Sequence, residues 1–155
     1  MNVEIERKFL IRKIPKNFEN KFYIKQFYIH VDDKFVQRLR FFDNRKAIMS
    51  LKQNCAGLSR YEFEYKIPLE DAKKIISMTD SIFIEKIRYI VYYESMKWEI
   101  DEFLGNNKGL LIAEIELEDE KQKIKLPDWI DQEVTNQNKY FNYNLALKPY
   151  ISWED

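Results

Sequence analysis

The sequence predicts a mainly β protein of the α+β class, in which eight antiparallel strands close into a barrel with a few packing helices. The chain contains 10 Tyr and 11 Phe but only 3 Gly and 4 Pro, a composition that favours strands. Charged and apolar residues alternate with a period of two in successive segments, as side chains do on the two faces of a strand. The polar positions are nearly all Arg, Lys, Glu or Asp, so closing the strands would place the charges inside and the apolar core outside the wall.

Each element follows from local sequence signals. The predicted strands are 2–12, 21–31, 34–42, 45–53, 58–67, 82–93, 96–103 and 110–118. The segments 31–34 and 42–46 read as turns, and 54–58 as a hairpin loop with Gly57 at its tight position. A helix is predicted over 68–78, where Pro68 leads in and acidic residues occupy the first turn. The tail at 126–150 predicts one or two short helices with loops.

Length and composition limit the classes of protein. A chain of 155 residues predicts a single domain, 1–155. Its 26 basic and 26 acidic residues balance, which argues against a nucleic-acid partner. The single cysteine, Cys55, excludes an internal disulfide and fits a cytoplasmic protein. No apolar run approaches the roughly 20 residues of a membrane span, so no membrane partner is expected.

The charged face recurs along the chain. In RYEFEYK at 60–66, charged side chains occupy every even position and aromatic side chains every odd one. A sheet with one buried face and one solvent-exposed face explains any single strand of this kind. It explains less well why the polar positions of nearly all strands are charged. The other polar positions are Glu4, Glu6 and Lys8; Arg38 and Arg40; Ser50 and Lys52; Lys86 and Arg88; Glu99 and Asp101; and Glu114, Glu116 and Glu118.

A charged interior points to a ligand, because charges removed from water are costly unless they are paired or bound. Arginines grip phosphate oxygens through two donors, and lysines act as point charges. Carboxylates do not bind phosphate directly, but they hold Mg²⁺ or Mn²⁺, which bridges to phosphate oxygens. An oligophosphate carrying a divalent metal satisfies both sets of side chains.

These residues resemble the CYTH superfamily, the triphosphate tunnel metalloenzymes. EIERKF at 4–9 has the ExExK signature, followed in order by RLR at 38–40, EKIRY at 85–89 and AEIELE at 113–118. The resemblance extends over nearly the whole chain, and GLSRYEFE at 57–64 is most similar to the small bacterial inorganic tripolyphosphatases. The resemblance implies an eight-stranded tunnel that binds triphosphate and Mg²⁺ or Mn²⁺.

The resemblance also implies roles for particular residues. The metal-binding positions are matched by Glu4, Glu6, Glu114 and Glu116, which with Lys8 form the expected catalytic set. The triphosphate-binding positions are matched by Lys8, Arg38, Arg40, Lys52, Lys86 and Arg88. Further candidates for the tunnel lining are Tyr28, Arg60, Glu62, Glu64, Asp101 and Lys139. For Tyr28 ordinary packing remains the alternative, and for Lys139 a solvated helical position.

The expected reaction is hydrolysis of a terminal phosphoryl group of a small anionic substrate. Inorganic tripolyphosphate is the substrate expected first among the triphosphates. A class IV adenylyl cyclase, a thiamine triphosphatase and a nucleoside triphosphatase remain alternatives within the family. A polyphosphate-binding module without turnover is the alternative from a different class. A homodimer is compatible with the sequence.

Overall fold

A computed structural model describes residues 2–154 of the chain. Its strands are β1 (Val3–Ile11), β2 (Asn20–Val31), β3 (Phe35–Phe42), β4 (Lys46–Gln53), β5 (Ser59–Ile67), β6 (Phe83–Tyr93), β7 (Met96–Phe103), β8 (Leu111–Glu116) and β9 (Ile130–Glu133). The helices are α1 (Leu69–Ser77) and α2 (Asn142–Leu147), with short 3₁₀ turns at Gly105–Asn107, Asn138–Tyr140 and Tyr150–Ser152. Within residues 2–154, neither helix has the length and apolar character needed to cross a membrane.

The strands form one antiparallel sheet that closes on itself. The sheet order is β5-β4-β3-β2-β6-β7-β8-β1-β9, and β5 also pairs with β1. The closing pair places Glu4 opposite Arg60, whereas further along β1 Phe9 lies opposite Glu133 of β9. The result is a closed eight-stranded barrel with one additional strand, which confirms the predicted fold class.

All eight predicted strands occur, with ends within two residues of the prediction, and the helix at 68–78 is α1. The prediction for the tail was incomplete, because Ile130–Glu133 forms β9 rather than helix or loop. This strand exists because β5 pairs with only the first part of β1 and leaves the edge from Phe9 onward open. A short segment of the tail satisfies that edge.

The main apolar clusters lie outside the barrel wall, as the sequence predicts. On one side, α1 covers Phe27, Leu39 and Phe41 with Ala72 and Ile75. A second outer cluster includes Phe9, Trp98, Ile100 and Ile115. The expectation that helices cover these faces was only partly right, because loop residues Ile14, Ile124 and Trp129 pack on the second cluster.

The inward face of the barrel changes from charged to apolar toward one end. Leu10, Ile84 and Ile112 share faces with the charged residues of β1, β6 and β8, and they pack in a third cluster with Leu145 of α2. The C-terminal segment therefore closes part of this end of the barrel from within. The remaining opening lies between α2 and the loops that follow β2 and β4.

We expect Leu145→Ala to lower the free energy of unfolding by about 3 kcal/mol, since it removes a fully buried side chain and leaves a cavity. Leu147 lies on the same helix but is 56% exposed, so Leu147→Ala is the matched control and should change stability by less than about 0.5 kcal/mol. Urea denaturation of both variants measures the difference. Equal losses of stability would contradict the placement of α2.

Candidate active site

The barrel encloses a polar bore, a cavity of about 290 Å³. It continues into a second cavity of about 320 Å³, here called the vestibule, at the end partly closed by α2. Charged side chains predominate in the walls of the bore, whereas aromatic and amide side chains form much of the vestibule. The two cavities share Glu6, Lys8, Arg38, Lys52 and Asn142.

The strands bring nearly all of the candidate residues together. The bore is lined by Glu4, Glu6, Lys8, Arg38, Arg40, Lys52, Glu62, Glu64, Lys86, Arg88, Glu114 and Glu116. Tyr28 and Arg60 line the vestibule, and Asp101 lies fully buried behind Lys86 and Arg88. Lys139 does not line either cavity: its Nζ lies on the outside, 4.7 Å from the ring centroid of Trp153.

Carboxylates crowd one wall of the bore. Glu6 lies opposite Glu116 in the register of β1 and β8, and Lys52 Nζ lies 2.7 Å from Glu4 Oε1 and 3.5 Å from Glu6 Oε1. Burial, followed by repulsion from Glu114, raises the pKa of Glu6 above its ordinary value despite Lys52. Burial and neighbouring glutamates, with Glu4 first, likewise raise the pKa of Glu116. This wall therefore carries negative charge that a bound cation would stabilise.

The donor set fits a hard divalent cation. Carboxylate oxygens are the protein ligands that Mg²⁺ and Mn²⁺ prefer. Glu4 Oε1 is buried and, although it lies close to Lys52, makes no hydrogen bond of good geometry. Over residues 2–154, however, no three Asp, Glu, His or Cys side chains converge closely enough to form a pre-assembled metal site.

The opposite side of the bore is cationic. Arg38 donates to Glu62 at 2.9 Å and to Ser50 at 2.8 Å, and Arg40 pairs with Glu64. Arg40 Nε is buried with no hydrogen-bond partner. Burial, followed by repulsion from Arg38 and Arg88, lowers the pKa of Arg40 to about 10. The site thus contains a cation whose charge is under-compensated until an anion binds.

Beside this cationic side lies a fully buried carboxylate. Asp101 accepts from Arg88 Nε at 2.7 Å and from Lys86 Nζ at 2.8 Å. Burial alone would raise the pKa of Asp101, but Arg88 and Lys86 hold it below its ordinary value. Burial lowers the pKa of Lys86 to about 8, although Asp101 favours its charged form. Asp101 therefore holds two cations that line the bore, and these also donate to Glu99 (Arg88, 3.0 Å) and Asn142 (Lys86, 2.7 Å).

Lys8 lies between the carboxylates and the C-terminal segment. Its Nζ lies 3.4 Å from Glu114 Oε1 and 5.3 Å from the ring centroid of Phe141. Its backbone N–H donates to Thr135 Oγ1 at 3.1 Å, and its carbonyl accepts from the Val134 N–H at 2.8 Å. The segment that follows β9 therefore fixes the part of β1 that carries this ammonium group.

Besides Tyr28, three neutral residues complete the site, and only one of them lies outside the strand faces that the sequence identified. Gln26 is fully buried and donates to the Tyr28 hydroxyl at 2.6 Å, and Ser50 accepts from Arg38. Both share strand faces with candidate residues, and the alternation already placed Ser50 beside Lys52 on the charged face. Asn142 accepts from Lys86 Nζ at 2.7 Å, and no local signal in the sequence points to it.

Comparison with known proteins gives consistent matches. The family model of the CYTH domain matches residues 2–147. A protein of Acetivibrio thermocellus named inorganic triphosphatase is 41% identical, with 100% of each chain covered. One of the same name from Nitrosomonas europaea is 33% identical over 93% of this chain and 97% of that protein. A crystal structure of an inorganic triphosphatase superposes with a TM-score of 0.67 at 30% identity, over 93% of this chain and 97% of that one. The chain belongs to the CYTH domain family.

Proposed function

We propose that this protein is a divalent-metal-dependent hydrolase of triphosphates and that inorganic tripolyphosphate is its preferred substrate. The observation that carries the proposal is the bore itself, in which the under-compensated Arg40 and the crowded carboxylates face one cavity. A linear anion with bound metal would satisfy both groups at once. The relatives named inorganic triphosphatase support this substrate.

The residues divide into two functional groups. The proposed triphosphate ligands are Lys8, Arg38, Arg40, Lys52, Lys86 and Arg88. The proposed ligands of Mg²⁺ or Mn²⁺ are Glu4, Glu6, Glu114 and Glu116. When bound, the metal supplies charge neutralisation on the phosphates and lowers the pKa of coordinated water. The ring of cations holds the phosphate chain and stabilises the charge that develops on the leaving group.

The vestibule favours an organic triphosphate as a second candidate substrate. Tyr28, Phe141 and Tyr143 line it next to the bore, and aromatic rings of this kind stack on bases or other planar groups. A nucleoside triphosphatase, a thiamine triphosphatase and a class IV adenylyl cyclase would all use this arrangement. They differ in product, so a substrate panel separates them.

Phosphate release from tripolyphosphate, measured with malachite green with and without Mg²⁺ or Mn²⁺, tests the proposal. We expect metal-dependent release that is faster than from ATP or thiamine triphosphate, and no cyclic AMP from ATP. Binding of tripolyphosphate without release at either metal would instead establish a binding module. Cyclic AMP formation would establish a cyclase.

The proposed metal site also predicts how activity depends on pH. Because the pKa values of Glu6 and Glu116 are raised, protons compete with the metal at a higher pH than for an ordinary glutamate. At limiting Mg²⁺, activity should therefore fall as the pH decreases toward these raised values. Saturating Mg²⁺ should move the acidic limb of the profile to lower pH. An acidic limb that does not depend on Mg²⁺ concentration would contradict the assignment of these carboxylates.

Two broader expectations belong to the same proposal. The single Cys55 supports a cytoplasmic enzyme that acts on a small anionic substrate. A homodimer is compatible with the sequence, and exposed apolar side chains such as Ile151, which is 75% exposed, are available for such a contact. Light scattering at two protein concentrations measures the oligomeric state.

A further inference from the structure

We propose that Asn142 is a substrate-contacting residue, whose Oδ1 holds Lys86 in place and whose Nδ2 donates to a phosphate oxygen of the bound triphosphate. The inference rests on the proposed function, and it adds to the site a neutral residue from the C-terminal segment. Asn142 is buried, and it borders both the bore and the vestibule. It therefore lies where a phosphate chain in the bore would meet the vestibule.

The orientation of the Asn142 amide is fixed by its partner. Lys86 Nζ lies 2.7 Å from the amide, and an ammonium group can only donate, so the atom that faces it must be the acceptor Oδ1. The Nδ2 group must then point away from Lys86. Among residues 2–154 the amide makes no hydrogen bond other than this one. Two donor hydrogens are thus left for a ligand in the adjoining cavities.

The donors of Lys86 can be counted in the same way. The side chain is 2% exposed, and its ammonium donates to Asp101 Oδ2 at 2.8 Å and to Asn142 Oδ1 at 2.7 Å. One of its three hydrogens remains. Lys86 lines the bore, so this hydrogen is a candidate donor to a ligand there. Asn142 borders the same cavity, so both side chains can donate to one phosphate chain bound there.

The backbone of Asn142 is held by packing rather than by the ligand. Leu145, one turn further along α2, is fully buried among residues of the third cluster. The Leu145 carbonyl accepts from Asn107 Nδ2 at 3.3 Å, and Asn107 Oδ1 accepts from the Tyr150 N–H at 2.8 Å. Because the amide is positioned in advance, little conformational entropy is lost when it binds a phosphate oxygen.

Two substitutions separate substrate contact from a structural role. Asn142→Asp keeps an oxygen acceptor for Lys86 but places a negative oxygen where Nδ2 would meet the phosphates. Asn142→Ala removes both interactions and adds no charge. We expect the Kd for tripolyphosphate, measured by calorimetry without metal, to rise about tenfold for Ala and about a hundredfold for Asp. The effect on stability should be the reverse, because Asp still accepts from Lys86. Asn142→Asp should therefore melt at or above the melting temperature of Asn142→Ala, although it binds tripolyphosphate more weakly.

Asn106→Asp is the matched control, because it adds the same charge at an exposed position outside both cavities, and it should bind as the wild type does. An Asn142→Asp variant that binds tripolyphosphate as tightly as Asn142→Ala would overturn the assignment of Asn142. A wild type that binds but does not hydrolyse tripolyphosphate would overturn the proposed function alone. A wild type that binds tripolyphosphate neither without metal nor with Mg²⁺ would overturn both.

Discussion

Glu6→Gln is expected to lower kcat/KM for tripolyphosphate by at least about a hundredfold, a loss of roughly 3 kcal/mol of transition-state stabilisation. Glutamine keeps the shape of the side chain but removes the negative charge that a divalent cation requires. In the metal-free protein the same change relieves repulsion, since burial and Glu114 raise the pKa of the Glu6 carboxyl. The variant should therefore melt at or above the wild-type temperature while losing activity.

Glu118→Gln is the matched control for this experiment. Glu118 lies two residues after the end of β8, is exposed, and lines neither the bore nor the vestibule. Its replacement should leave the rate of phosphate release unchanged. A Glu6→Gln enzyme that reaches the wild-type rate at high Mg²⁺ or Mn²⁺ would show that the metal site lies elsewhere.

Arg40→Ala and Arg88→Ala are both expected to abolish measurable turnover, but only the second should unfold the protein more easily. Arg88 is the principal partner of the fully buried Asp101, and an uncompensated buried carboxylate costs about 3–5 kcal/mol. Arg40 pairs with Glu64, which is 43% exposed, and such a pair contributes at most about 1 kcal/mol. Removing Arg40 also relieves repulsion from Arg38 and Arg88.

Urea denaturation and tripolyphosphate hydrolysis of both variants measure this difference. Arg12→Ala provides the control, since Arg12 is an exposed arginine on the outside of the barrel and should affect neither property. A loss of stability in Arg40→Ala as large as that in Arg88→Ala would contradict a binding role for Arg40. It would show instead that the guanidinium is mainly structural.

Much of the fold could be predicted because a period of two assigns each strand residue to a face. Arg38 and Arg40, for example, lie inward, and Leu39 between them packs under α1. The strand β9 could not be predicted in this way. Its four residues are too few to show a pattern, and its pairing partner Phe9 lies more than a hundred positions away in sequence. The edge it occupies is open only because β5 departs from β1.

The same alternation predicted the charged residues of the site. It did not predict the residues that close the end of the bore. Phe103 and Ile112 share faces with Asp101 and Glu114, yet they close the bore with apolar contacts once α2 packs on them. Asn142 carries no charge and belongs to no strand, so only the docking of α2 brings it to Lys86. Tertiary packing, rather than local pattern, determines these features.

A crystal structure of the protein with tripolyphosphate and Mn²⁺ tests the central claim most directly. The account predicts the phosphate chain inside the bore, with oxygens within hydrogen-bond distance of Lys8, Arg40 and Arg88. It also predicts Mn²⁺ between the phosphates and the glutamates of β1 and β8. Tripolyphosphate on the outer surface, with the bore filled only by water, would contradict the account.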